Sequence, residues 1–254
     1  MCKFLLWKTI FILPVMMLTG GTTQAGDVTI AVASNFAGPV KVIIAAFEQQ
    51  TGHHVRLTLG SSGKVFAQIN HGAPFDMFLS ADKTKPAMLE KLGMTVPGSR
   101  FTYAIGTLAL WSPQPGLVSE KADIFVNGKI RRLAIANPGL APYGVAARQV
   151  LEELKLYHRL SARLVRGENI AQTYQFVATG NADAGFVALS QIQHAGGSRW
   201  IIPRRLYRAI KQDSVLMKAA KNNPAARAFC NFLQTEQARK IIRNFGYKTP
   251  EWPG

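Results

Sequence analysis

The chain has 254 residues and carries 30 Lys and Arg against 14 Asp and Glu, a formal net charge of +16. Hydrophobic residues make up 48% and charged residues 17%, which excludes a disordered chain and suffices for one large domain or two lobes. The basic residues are spread thinly, with Arg131-Arg132 and Arg204-Arg205 as the main pairs. This distribution favours a solvated basic surface over a nucleic-acid-binding patch.

The first 25 residues have the features of a cleaved secretory signal. Lys3 and Lys8 form a basic start, an apolar run follows over 9–18, and Thr23-Gln24-Ala25 offers a small-x-small cleavage pattern. A membrane anchor is the alternative, but the run is shorter than the ~20 residues of a spanning helix. We predict export of a soluble mature chain in which Cys230 is the only cysteine, a buried structural thiol that excludes an internal disulfide.

The first part of the mature chain predicts strands that alternate with helices. The predicted strands cover 28–33, 55–59 and 75–80. The predicted helices cover 40–51, 65–70 and 88–92. A tight turn over 60–63 separates the second strand from its helix, and a single long strand is predicted over 103–111. Alternating strands and helices are typical of a parallel sheet with covering helices.

A second series of the same kind follows. Its predicted strands cover 132–136, 160–165 and 184–189, and its helices cover 144–154 and 170–179. One C-terminal helix is predicted from the cap Asn223, with Pro224 at its first position, to Gly246. Two similar series predict an α/β protein with two lobes and a cleft between them.

Four loops lead into helices and carry glycine or small polar residues. They cover 33–36, 60–64, 141–144 and 166–170. A helix start exposes unpaired N–H groups and about half a positive charge. Several such starts around one cleft, beyond the carboxyl ends of strands, form a site for an anion. Each loop alone would be an ordinary cap or turn, but four together favour anion binding.

The loop over 60–64, with the sequence GSSGK, has the composition of a nucleotide phosphate loop without its spacing. Its glycines are separated by two residues instead of four, and Val65 replaces the hydroxyl that binds magnesium. Ser61 and Lys64 have the S-x-x-K spacing of some acyl-transfer enzymes, although the partner motifs Ser-Asp-Asn and Lys-Thr-Gly are missing. A secreted hydrolase that uses Ser61 or Ser62 with Lys64 is therefore the alternative. Otherwise, Lys64 is expected to point to solvent or to add background positive potential.

The remaining polar residues do not form a recognisable catalytic set. The five histidines lack metal-ligand spacing, and no close acidic pair suits glycoside hydrolysis. Asp76 and Asp82 flank the third strand, where capping or hinge roles are expected. We predict a protein that is not an enzyme and has no cofactor or bound metal cation.

Four stretches resemble one known family. They are the run from "VTIAVASNF" through "GSSGKV" to "FLSAD", then "ANPGLAPYG", "GENIAQTYQFVATGNADAGFVALSQI" and "FLQTEQARKIIRNFGY". They are similar to the periplasmic molybdate-binding proteins of ABC transporters, over essentially the whole mature chain. The resemblance implies a two-lobed periplasmic-binding-protein fold, with a mixed or parallel sheet flanked by helices in each lobe. Lobe 1 would hold 26–105 and 211–254, and lobe 2 would hold 106–210.

The resemblance also implies a ligand and its contacts. A tetrahedral oxyanion, molybdate or tungstate, would be held by neutral donors and delivered to an inner-membrane ABC permease. The protein would be a periplasmic monomer that binds no nucleic acid. The implied contacts are Ser34, Asn35, Ser61, Ser62, Ala141, Tyr143 and Ile170. Some members carry a tyrosine where this chain has Ala188, and the phenol of Tyr143 is the candidate replacement. A polyanion-binding protein is a further alternative on charge alone.

Overall fold

A computed structural model of the protein describes residues 25–119, 122–125 and 129–250. The predicted signal segment lies outside the described residues except for Ala25. Within them, ten strands form two five-stranded sheets that are covered by eight α-helices. None of the helices in this part of the chain is long and apolar enough to cross a bilayer.

The first sheet has the strand order β2-β1-β3-β10-β4. These strands are β1 (Asp27–Ala33), β2 (His54–Gly60), β3 (Met77–Leu79), β4 (Phe101–Gly106) and β10 (Ile210–Leu216). β1 runs parallel to β2 and β3, whereas β10 is antiparallel to β3 and β4. Ala33 pairs with Gly60, so the segments that leave the carboxyl ends of β1 and β2 start side by side.

Five helices pack on the first sheet, and together they form the first lobe. They are α1 (Ala37–Thr51), α2 (Ser62–Asn70), α3 (Thr84–Lys91), α7 (Pro224–Phe232) and α8 (Glu236–Asn244). Their apolar faces bury Ile30 of the sheet together with Phe47 and Phe229. Cys230 is buried beside them, and this burial raises the pKa of its thiol to about 11. The prediction of a buried structural thiol is confirmed.

The second sheet has the strand order β7-β6-β8-β5-β9 and forms the second lobe. Its strands are β5 (Leu108–Ser112), β6 (Leu133–Ala136), β7 (Leu164–Gly167), β8 (Ala184–Ala188) and β9 (Ser198–Ile201). The helices of this lobe are α4 (Pro142–Glu153), α5 (Tyr157–Leu160) and α6 (Ile170–Ala178). β6 is parallel to β7 and β8, and β5 is antiparallel to β8 and β9. The predicted α/β fold with two mixed sheets is confirmed.

The single strand predicted over 103–111 is wrong. The chain forms β4 as far as Gly106 and β5 from Leu108, and these strands belong to different sheets. Apolar residues are buried on both sides of the break, so the hydrophobic run continues through it. Thr107 is the one residue between the two strands, and it links the lobes.

Several further elements differ from the prediction, and β9 and α5 were not predicted at all. Most of the strand predicted over 160–165 is helical turn, and β7 begins only at Leu164. The C-terminal helix is two helices, because the side chain of Thr235 accepts a hydrogen bond from the N–H of Ala238 and starts α8. β10 was not predicted, because its buried side chains include Gln212 and Asp213 and no apolar alternation marks it.

Candidate functional site

The four predicted loops meet between the two sheets. A short 3-10 turn (Ser34–Phe36) follows β1, and α2 follows β2. From the second lobe, α4 follows β6 after a short loop, and α6 begins just after β7. Parallel strands bring these segments together because their carboxyl ends share one edge of each sheet.

The four segments surround a small cavity, of about 180 Å³ including its open side. It is lined by Ala33, Ser34, Asn35, Gly60, Ser61, Ser62, Ala81, Ala141, Pro142, Tyr143 and Ile170. All seven residues that the sequence implicates are therefore brought together. No lining residue carries a formal charge, so the cavity suits a small ion that is held by dipoles.

Two serine hydroxyls at the start of α2 are arranged as donors. Ser62 Oγ accepts a hydrogen bond of 2.9 Å from the N–H of Ala81, and Ser61 Oγ accepts one of 3.3 Å from the N–H of Lys64. Both serines are buried. A hydroxyl that accepts such a bond still has its own proton to donate. The neighbouring N–H groups thus fix both oxygens and leave their protons available in the cavity.

Ser34 uses its hydroxyl differently. Its Oγ donates to Asn169 Oδ1 over 3.2 Å, and the same oxygen accepts from the N–H groups of Ala171 and Gln172. Asn169 is therefore the cap of α6, and Ser34 joins the first lobe to that cap. The hydroxyl proton of Ser34 is used in this contact, although the residue lines the cavity.

The side chain of Asn35 points to the floor beneath the cavity. Its amide nitrogen donates to Gln212 Oε1 over 2.8 Å and to Tyr247 Oη over 3.0 Å. The backbone carbonyl oxygen of Asn35 accepts from Tyr247 Oη and from Ser190 Oγ. The amide is satisfied in the fold, so the backbone N–H in the 3-10 turn is the donor that remains for a ligand. Sequence reasoning missed this network, and no local signal marks it.

The second lobe supplies backbone donors. The N–H of Ala141 donates to the carbonyl of Asn137 over 2.8 Å, and Pro142 has no N–H, so Tyr143 offers the first free N–H of α4. In α6, the Asn169 cap takes the second and third N–H groups and leaves that of Ile170. These two first-turn groups have no acceptor within their own helices.

The phenol of Tyr143 lies deep against the link between the lobes. A Cβ placed on Gly106 would come within 2.1 Å of Tyr143 Oη and 2.9 Å of Gln212 Nε2, so only glycine fits there. Burial raises the pKa of Tyr143 well above its usual value of 10.0, and the neighbouring Tyr247 adds to this. The phenol is therefore neutral and packs close to Gly106.

Direct contacts hold the two lobes together around the cavity. The N–H of Gly63 donates to the carbonyl of Leu140 over 2.8 Å. Lys64 Nζ forms an ion pair of 3.0 Å with Glu168 Oε1, while its side chain stays exposed to solvent. With the contact between Ser34 and the α6 cap, these bonds show that the lobes are closed on each other.

The same geometry bears on the hydrolase alternative. Within the part of the chain described, Lys64 Nζ pairs with Glu168, and neither Ser61 nor Ser62 forms a hydrogen bond to it. A serine nucleophile needs a base within hydrogen-bond reach. The described residues also contain no group of three or more side chains suited to binding a metal ion. The arrangement is that of a binding site.

This combination of fold and site defines a class of protein. A model of the bacterial extracellular solute-binding protein family matches residues 28–248, and the chain belongs to this family. The family consists of binding proteins, and the similarity gives no support to a hydrolase.

Two named relatives and one solved structure are similar to this chain over most of its length. The chain is 49% identical over 228 residues to the molybdate-binding protein ModA of Azotobacter vinelandii, covering 88% of this chain and 90% of that protein. It is 48% identical to the ModA protein of Rhodobacter capsulatus, covering 89% of each. Its structure matches the periplasmic molybdate-binding protein of Azotobacter vinelandii with a TM-score of 0.86 and 41% identity, over 88% of this chain and all of that one.

Proposed function

We propose that this protein captures molybdate, and also tungstate, in the periplasm and delivers it to an inner-membrane ABC permease. The observation that carries the proposal is the small, uncharged cavity on which donors from four chain segments converge. The relatives named for molybdate support the choice of anion. The periplasmic relative supports export, for which we propose the predicted N-terminal signal. We also propose that the protein acts as a monomer and binds no nucleic acid.

Neutral donors suit a doubly charged anion. A bare dianion is costly to remove from water unless its oxygens all receive hydrogen bonds. Hydroxyls and helix N–H groups supply these bonds without a counter-ion, and helix starts add a favourable partial charge. Donors that are fixed in place also disfavour a protonated anion, because its proton would face another proton. Cavity size would separate molybdate and tungstate from the smaller sulfate.

The proposed contacts divide into two kinds. Ser61 and Ser62 donate their hydroxyl protons, while Asn35, Tyr143 and Ile170 donate backbone N–H groups. Ser34 and Ala141 complete the wall, Ser34 by anchoring the α6 cap and Ala141 by its position before α4. The tyrosine missing at Ala188 is replaced by the N–H of Tyr143 in this proposal, since the phenol packs against Gly106.

We further propose that each lobe moves as a unit when the anion enters and leaves. The proposed lobes are 26–105 with 211–254, and 106–210. The return of the chain to the first sheet through β10 supports these boundaries, as does the break at Thr107. The closed lobes would present the bound anion to the permease.

Calorimetry with molybdate, tungstate, sulfate and phosphate tests the proposal. Molybdate and tungstate should release heat and sulfate and phosphate should not. The Ser62→Ala variant should bind molybdate about 10- to 100-fold more weakly, the equivalent of one lost hydrogen bond to a charged group. Ser161→Ala is the matched control, because the one bond of that exposed hydroxyl within the described residues goes to the carbonyl of His158. Binding of another solute, or equal affinity in both variants, would overturn the proposal.

A further inference from the structure

A second, larger cavity adjoins the anion cavity. It is an open cleft between the lobes, of about 940 Å³ including its mouth. Ala81, Ala141 and Pro142 line both spaces, so the wall between them consists of small side chains and one proline. Ala81 belongs to the first lobe and the other two to the second. The wall therefore opens when the lobes separate.

The cleft is rich in cations. Lys83, Arg208 and Lys211 line it with exposed side chains. The ion pairs found among the described residues include none of these three. A fourth cation, Lys85, pairs with Asp82 over 2.7 Å and so neutralises the one acidic residue of the lining. About three positive charges are left without a partner in one cleft.

The anion cavity itself attracts an ion only weakly from a distance. Its lining is uncharged, and the partial charges of its helix starts are screened by salt and fall off within the first turn. A cleft lined by one sign of charge focuses the field and raises the local concentration of the opposite charge. On the α6 side of the cavity, the ion pair of Lys64 with Glu168 and the contact of Ser34 with Asn169 join the lobes. The cationic cleft is an open approach on another side.

We propose that this cleft is the access route and transient docking site for the oxyanion, with Lys83, Arg208 and Lys211 as the attracting residues. This inference rests on the proposed function and adds the path of the anion to it. The dianion first docks among the three cations. It then passes the wall of Ala81, Ala141 and Pro142 while the lobes are apart, and it reaches the neutral donors as they close.

The test compares two triple variants with equal charge loss. One removes the cleft cations (Lys83→Gln, Arg208→Gln, Lys211→Gln). The control removes three exposed cations that do not line the cleft (Lys41→Gln, Arg131→Gln, Lys240→Gln). Calorimetry gives the dissociation constant for molybdate, and a chase of radiolabelled molybdate with excess unlabelled anion gives the dissociation rate. Their ratio gives the association rate.

The cleft variant should associate about tenfold more slowly at low salt, the lower end of the range for electrostatic steering. Its dissociation rate should be unchanged, because the neutral donors are intact. The defect should disappear near ~1 M salt, where the screening length is about 3 Å. The control should stay close to the wild type, and thermal melts should show that all three proteins are folded.

An association rate that is unchanged in the cleft variant, or reduced equally in the control, would overturn the inference. The second result would assign the attraction to net charge and not to the cleft. In both cases the wild type still binds molybdate, so the proposed function survives. If the wild type releases no heat with molybdate, the proposed function fails and the access route fails with it.

Discussion

Gly63 offers the sharpest test of lobe closure. It lies in the first turn of α2, and an added Cβ would be 2.9 Å from the carbonyl oxygen of Leu140 and 3.0 Å from its Cα. Both atoms are backbone, so they cannot turn aside as a side chain can. The Gly63→Ala change should therefore disturb the bond from the N–H of Gly63 to Leu140, which exists only while the lobes are closed.

The magnitude follows from the packing. Forcing a methyl group into a well-packed contact costs about 1–3 kcal/mol. If this cost falls on the closed, anion-bound state alone, the dissociation constant for molybdate rises about 5- to 150-fold. In the open state the alanine meets no such contact. A helix favours alanine over glycine by up to about 1 kcal/mol, so the ligand-free protein should be equally stable or slightly more stable.

Two measurements separate these effects. Calorimetry reports the affinity for molybdate, and thermal unfolding without ligand reports the stability of the free protein. Gly196→Ala is the matched control, because an added Cβ there has no atom within 4 Å and the backbone is not left-handed. Unchanged affinity in Gly63→Ala would refute the reasoning. A large loss of stability without ligand would also refute it.

Two further predictions concern charged and titratable groups. The exposed pair Lys64–Glu168 should contribute no more than about 1 kcal/mol. Lys64→Gln should thus weaken molybdate binding less than about fivefold, and a double-mutant cycle with Glu168→Gln should show a coupling that vanishes at high salt. Zero coupling at low salt would contradict this role. Burial raises the pKa of Tyr247 from 10.0 to about 12, so the unfolded chain loses its phenolic proton first. Folding stability should therefore fall as pH rises from 10 to 12, by roughly 1 kcal/mol per pH unit from this group. Tyr247→Phe should make the fall in melting temperature over that range shallower without removing it, because burial also raises the pKa of Tyr103 and Tyr143. An unchanged slope would count against the assignment.

The position of the candidate site could be predicted from the sequence because its elements are local. Each donor loop joins a strand to the helix that follows it, and parallel strands place such loops at one edge. The seven implicated residues consequently line one cavity. The glycines and small polar residues that indicate each loop lie within a few positions of the strand that precedes it.

The role of each donor could not be predicted in the same way. Ser34 is 135 positions from Asn169, and Asn35 is 177 positions from Gln212. These partners decide which hydroxyl and amide protons are already used, and they become visible only in the folded chain. The ion pair of Lys64 is another example, because its partner Glu168 lies in the other lobe. The sequence indicates which loops are rich in hydrogen-bond donors. The contacts made in the folded chain determine which of these donors stay free to bind a ligand.

The link at Thr107 limits how the protein can release its cargo. One residue spans at most about 3.6 Å, so Gly106 and Leu108 stay together whatever the lobes do. The return of the chain from β9 to β10 is a second connection between the lobes. We therefore expect opening to be a rotation about an axis near these two connections, with a pivot near Thr107, in which displacement grows with distance from that axis. The helix α4 is held near the pivot by Tyr143, whose hydroxyl lies against Gly106. The anion would thus lose its hydrogen-bond donors one after another. The donors on segments farthest from the pivot would be lost first.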